Sequence, residues 1–178
     1  MKSHSVRTRY IAYTAVLIAL LAGLQLVTKP FGQFVTGICV NLVLAVAALC
    51  CGPAGGLTVA VLSPFFAFLL GIGPAFIRIV SLIALGNAVY VLLILAISGK
   101  DMNGKGRPLR FIAAGTAALC KFAVLSVTVV RLAVPSLGLP EAKAAIVSAG
   151  FSWPQLVTAL AGGLLAAEIA PLVKKAMK

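Results

Sequence analysis

Long apolar runs, separated by short stretches rich in glycine, proline and basic residues, set the rhythm of the 178-residue chain. The first run, Tyr10 to Val27, is long enough to span a bilayer and stops at Lys29-Pro30, with a loop expected over Phe31 to Val35. A second helix is expected over Thr36 to Cys51, closed by a Gly52-Pro53 turn, and a third over Ala54 to Leu70, kinked at Pro64. After the turn Gly71-Ile72-Gly73-Pro74, a fourth helix is expected over Ala75 to Ile97. Ser98 to Pro108 reads as a polar loop, Leu109 to Val134 as a fifth helix and Trp153 to Val173 as a sixth. Within the longer loop Pro135 to Ser152, Pro140 suits the start of a short helix over Glu141 to Ala149. A membrane barrel would instead alternate apolar and polar residues in segments of about 10. Continuous runs call for helices, whose backbone groups are satisfied internally.

Composition strengthens the membrane reading. The chain is 62% hydrophobic and 10% charged, with a mean hydropathy of +1.14, whereas soluble domains carry about 25% charged residues. A soluble enzyme is excluded, and the length suits one domain over residues 1–178. The expected fold is an all-α membrane protein, a six-transmembrane-helix bundle with both termini cytoplasmic.

That orientation comes from charge. The net charge is +12, but the basic residues sit mostly between the apolar runs, which marks topology and not nucleic-acid binding. One side of the expected bundle holds Lys2, Arg7, Arg9, Lys100, Lys105, Arg107, Arg110, Lys174, Lys175 and Lys178; the other holds Lys29 and Lys143. Ten against two places the first group inside and requires an even number of spans. The basic start resembles a signal peptide, but the first run is long and lacks a small-residue cleavage site, so it reads as a retained helix. Cys39, Cys50, Cys51 and Cys120 form no CxxC pair and the only histidine is His4, so neither a metal site nor a cofactor is expected.

Three cations fall inside apolar runs: Arg78, Lys121 and Arg131. Intramembrane charge is costly and marks function. Lys121 and Arg131 are ten residues apart, about 15 Å along a helix axis, and at about 100° per residue point within about 80° of each other. The two are therefore expected to line one cavity open to the outside. Asp101, Glu141 and Glu168 all lie at other depths, so the cations suit an anionic ligand such as a carboxylate. Arg78 and Arg131 have an alternative, snorkelling to the outer headgroups; Lys121 is too deep for that. Gln33, Thr36, Asn41, Asn87 and Trp153 could complete the site. Interhelical hydrogen bonding is the competing role for Asn41 and Asn87, and interfacial anchoring for Trp153. Phe65, Phe66 and Phe68 read as packing.

On the first helix, Ala12, Ala15, Ala19 and Ala22 or Gly23 form a small-residue stripe that lets another helix approach closely. Its neighbour is either another helix of the bundle or a separate membrane protein.

The chain resembles the substrate-binding S components of energy-coupling factor (ECF) vitamin transporters. The likeness rests on size, six helices, cytoplasmic termini and an Ala15-x-x-x-Ala19 motif after a basic start. It extends to the stretches Thr36 to Leu44, Leu57 to Pro74 and Ile83 to Ala88. The resemblance implies a membrane T component as partner, bound at Ala15 and Ala19, with two cytosolic ATPases. It also implies a prokaryotic cytoplasmic membrane, an outer ligand pocket covered by loops, and toppling during transport. The chain itself carries no G-x-x-x-x-G-K-[ST] loop. A self-sufficient ion-coupled carrier is the competing reading, with Glu168 the one carboxylate that could serve it. An intramembrane enzyme would need a base or metal ligands in the bilayer, which the residue set does not offer. A membrane scaffold leaves the intramembrane cations without a role.

Overall fold

A computed structural model describes residues 2–98 and 106–177, with side chains from residue 8 onward. Most of the expected loop Ser98 to Pro108, with Lys100, Asp101 and Lys105, lies outside the described residues, as do Lys178 and the side chains of Lys2, His4 and Arg7. Helix makes up 91% of the structure and no strand occurs among the described residues, so the class is all-helical. In chain order the helices are α1 (Lys2–Thr28), α2 (Gly32–Leu69), α3 (Ile77–Ser98), α4 (Arg107–Leu125), α5 (Val134–Ser136), α6 (Glu141–Gly150) and α7 (Trp153–Ala176). A 3-10 turn (Lys29–Phe31) joins α1 to α2, and a π-helical stretch (Ser126–Ala133) joins α4 to α5. Four continuous stretches, Thr8–Leu69, Ile77–Ser98, Arg107–Ser136 and Glu141–Ala176, are long and apolar enough to cross a membrane.

The boundaries depart from expectation where proline and glycine are used economically. No loop forms over 31–35. Pro30 sits in the first turn of the 3-10 segment, where its missing N–H costs nothing, and Gly32 reverses the chain at φ 85°. The Gly52-Pro53 turn shrinks to one residue. Gly52, at φ 71° and ψ −166°, breaks α2 into limbs 32–51 and 53–69, and Pro53 starts the second limb. The helix runs through Pro64 with helical backbone angles on both sides.

Side-chain bonds gather the limbs at two ends. At one, Tyr13 Oη donates to the Met177 carbonyl (3.0 Å), Arg107 pairs with Glu168 (2.7 Å) and Arg110 Nε donates to the Ala167 carbonyl (2.9 Å). This end holds the starts of α1 and α4 and the close of α7. At the other, Lys29 Nζ donates to the Gly71 carbonyl (3.2 Å) and Gln33 Nε2 to the Gly150 carbonyl. Here the α1–α2, α2–α3 and α6–α7 connections meet.

The bundle is packed as lipid requires. Its core is built from alanines, among them Ala45, Ala47, Ala48, Ala60, Ala117, Ala118, Ala159, Ala166 and Ala170, with Asn41, Asn87, Lys121 and Thr158 buried beside them. Larger side chains such as Leu21, Leu44, Tyr90 and Ile94 fill the core between them, while many others face outward: Ile11, Val16, Leu20, Val27, Leu119, Leu132 and Leu172 are all exposed. Hydrocarbon gives no drive to bury leucine, so close backbone approach by small residues holds such helices together. Gly162 makes the closest approach to another helix's backbone: a Cβ there would lie 2.7 Å from both the Ile38 carbonyl oxygen and the Leu42 nitrogen. Gly162→Ala should therefore push α7 off α2 and lower stability by about 1–3 kcal/mol. Gly115→Ala, where a Cβ meets nothing within 4 Å, should leave the melting temperature in detergent unchanged or raised. Equal melting temperatures for the two variants would contradict this packing.

Candidate functional site

The site begins with Pro64. It has no N–H, so the Ala60 carbonyl one turn earlier loses its helical partner. Ser63 Oγ (3.4 Å) and Asn87 Nδ2 of α3 (3.3 Å) donate to that carbonyl. With its nitrogen so committed, the Asn87 amide turns its oxygen inward, where Lys121 Nζ of α4 donates to it at 2.7 Å. Asn41 of α2 repeats the arrangement. Its Nδ2 donates to the Gly37 carbonyl (2.8 Å) and its Oδ1 accepts from Lys121 Nζ at 2.6 Å. The Tyr90 ring lies 5.4 Å from the ammonium, within cation–π range, and the Tyr90 hydroxyl donates to the Ala159 carbonyl of α7 (2.9 Å). Lys121 is 2% exposed and has no carboxylate partner among the described residues. Two neutral amide oxygens replace its hydration while leaving its charge uncancelled. An ammonium has three donors, and the two amides take two of them.

Above this cluster, toward the end away from the chain termini, lies a cavity of about 510 Å³. Lys121, Asn41, Asn87 and Ser63 form its floor. Val40, Pro64, Val80 and Ile83 form apolar walls. Its rim is built by Lys29, Gln33, Gln155, the loop residues Ile72, Gly73 and Pro74, and Ile146, Val147 and Gly150 of α6. Two amides, Gln33 and Gln155, donate to the Gly150 carbonyl and tie α6 down over the opening. Among the described residues, two ammonium groups and no carboxylate line the space.

Two lining groups have no protein partner. Gln25 of α1 is 6% exposed, yet its Oε1 has no hydrogen bond among the described residues; Thr36 Oγ1 is in the same position. Leaving such a group buried and unpaired costs about 1–3 kcal/mol.

Of the residues expected at the site, Lys121, Asn41, Asn87, Gln33 and Thr36 do come together in the cavity. Arg78, Arg131 and Trp153 do not line it. Arg78 is exposed and donates to Ser136 Oγ (2.8 Å). Arg131 is exposed within the π-helical stretch. There each turn takes more residues than in an α-helix, so the 100° count that aimed Arg131 alongside Lys121 drifts out of phase. Trp153 is 61% exposed and its ring sits 5.4 Å from that of Phe34, tilted by 45°. Gln25, Lys29, Ser63 and Gln155 were not anticipated as lining residues. Gln25 carried a readable signal, as the one amide inside the first apolar run. The small-residue stripe on α1 is exposed at Ala12, Ala15, Ala19 and Gly23; a Cβ at Gly23 would meet nothing within 4 Å, and Ala15 lies on the edge of a groove shared with Cys50, Cys51 and Gly55 of α2. Among the described residues no group of His, Cys, Asp or Glu could hold a metal ion.

No protein-family model, curated protein or solved structure matches the chain.

Asn87→Leu tests the floor. It leaves the Ala60 carbonyl with Ser63 Oγ as its one side-chain donor and removes one acceptor from the ammonium, so stability should fall by about 1–3 kcal/mol. Asn87→Asp keeps an oxygen toward Lys121 and adds an opposite charge, so it should melt well above Asn87→Leu. A leucine variant as stable as the parent protein would mean that Lys121 is held by other contacts.

Proposed function

We propose that the chain is the substrate-binding membrane subunit of an importer of the ECF type, an S component. In this reading it captures a small anionic metabolite of vitamin size from outside and delivers it inward when docked on a membrane T component driven by two ATPases. The observation that carries the reading is the cavity with Lys121 at its floor. It opens at the end of the bundle opposite the basic termini, has a volume in the range of small-molecule sites, and holds cations without carboxylates. In this reading the two limbs of α2, with α1, α3, the stretch from α4 to α5, and α7, would each cross the membrane, six crossings in all. The positive-inside rule then puts both termini in the cytoplasm and the cavity outside.

A binding subunit needs a surface for its motor. The exposed Ala12, Ala15, Ala19 and Gly23 stripe suits the close approach of a second membrane protein. An ion-coupled carrier would need a carboxylate in the membrane. Glu168 instead pairs with Arg107 at the surface, both half-exposed, at the terminal end.

The test is affinity purification from the native membrane followed by native mass spectrometry. The parent protein should carry one bound small organic acid and co-isolate a second membrane protein with ATPases. Ala15→Trp and Ala19→Trp should lose the proteins and keep the acid. Loss of both together would return the stripe to internal packing, and a neutral or cationic passenger would refute the anion reading. For topology, a single cysteine at Ala142, in a cysteine-free background, should react with an impermeant maleimide in intact cells, and one at Ala176 should not. The reverse pattern would invert the orientation.

A further inference from the structure

We infer that the cavity recognises a ring-borne amide edge, an adjacent N–H donor and C=O acceptor, in addition to an acid group. The ligand is then a carboxylated nitrogen heterocycle and not a simple aromatic or aliphatic acid. This deepens the proposed function and rests on its reading of the cavity as the ligand site.

Gln25 carries the inference. Its side chain is 6% exposed and lines the cavity, and its Oε1 has no partner among the described residues. Asn41 and Asn87 are committed at both ends, to Lys121 and to backbone carbonyls, and Gln33 and Gln155 spend their nitrogens on the Gly150 carbonyl; among the cavity's amides, Gln25 is the one with a buried, unpaired oxygen among the described residues. A glutamine amide offers an acceptor and a donor side by side, the geometry by which glutamine reads the paired donor and acceptor of a base edge. A carboxylate has no donor for Gln25 Oε1; a ring amide has one. Thr36 Oγ1, also unpartnered among the described residues, lines the same cavity. Counted from the α1–α2 turn, Gln25 is three residues below Thr28 and Thr36 four below Gly32, about 4.5 and 6 Å deep; Asn41 is nine below, about 13.5 Å. The unpartnered groups thus form an upper tier, and the Lys121 floor a lower one some 7–9 Å deeper. Between them the walls are apolar, through Val40, Val80 and Ile83. A flat ring with an acid at one end and an amide edge at the other satisfies both tiers.

Paired probes test this with the purified full chain in detergent, by titration calorimetry and thermal shift. The first pair is 6-oxo-1,6-dihydropyridine-3-carboxylate and its N-methyl derivative; the second is orotate and 1,3-dimethylorotate; benzoate is the acid without an edge. The N–H acids should bind at least about 10-fold more tightly than their N-methylated partners and benzoate, the loss of one hydrogen bond to a buried group. Gln25→Met should erase that preference. It should also leave the ligand-free protein as stable as the parent or more so, because it removes an unpaired buried amide. Lys121→Met should weaken every acid alike. Equal binding of N–H and N-methyl acids, with dependence on Lys121 kept, overturns the amide edge and spares the anion site. No binding by any probe overturns both. A ligand-free Gln25→Met protein that melts lower than the parent makes Gln25 a packing residue and also overturns the inference.

Discussion

A buried ammonium with no carboxylate in reach among the described residues is the constraint around which the bundle is arranged. Taking a charge out of water costs several kcal/mol even after relaxation, so Lys121 must have its solvation rebuilt by protein. Asn41 and Asn87 supply the oxygens, and each can do so only because its nitrogen is already bound to a backbone carbonyl. For Asn87 that carbonyl is available because Pro64 vacated it. A proline that looked like a kink is therefore the first link of a chain through Ala60, Asn87 and Lys121 to Asn41, tying α2, α3 and α4 together. Tyr90 extends the chain to α7 through the Ala159 carbonyl.

Small residues make this polar hub compatible with a membrane. Bonds of 2.6–2.7 Å from one ammonium to two helices demand that the backbones come close. Gly162 and Gly163 let α7 seat against α2, α3 and α4, where a Cβ would strike the α2 backbone, the Tyr90 hydroxyl or Ala114. Many of the large apolar residues can then be left on the outside, as Ile11, Val16, Leu119 and Leu172 are. The cavity is the complement of the same packing. The helices meet tightly at the floor, and α6, with no buried residue of its own, covers the space left above.

Much of this was legible in the chain. Apolar run length gave the helices, and Pro140 gave the start of α6. Lys121, Asn41 and Asn87 stood out as polar residues in apolar runs, and they do meet. What failed depended on details that helical averages do not contain. Arg131 was aimed by a uniform 100° step, and the π-helical stretch ahead of Pro135 breaks that step. Arg78 and Trp153 were grouped with the cavity by depth alone, but depth does not say which face of a helix a residue occupies. The fate of the α1 stripe was open for the same reason. Thr14, Leu21, Gln25 and Thr28 face the bundle, which turns Ala15 and Ala19 outward.

The polar groups of the cavity therefore divide by whether the protein answers them. Those at the floor bond to one another and hold helices, so truncating them disturbs the fold as well as the cavity. Gln25 and Thr36 are answered by nothing among the described residues. The difference has an electrostatic side. Neutral amides solvate the Lys121 ammonium without cancelling it, so the floor keeps a positive potential in a low-dielectric setting where such a charge acts strongly. A carboxylate partner would have made an equally good anchor and a neutral floor. Choosing amides stabilises the bundle and leaves the charge free to act on an occupant, so one lysine serves both the architecture and the site.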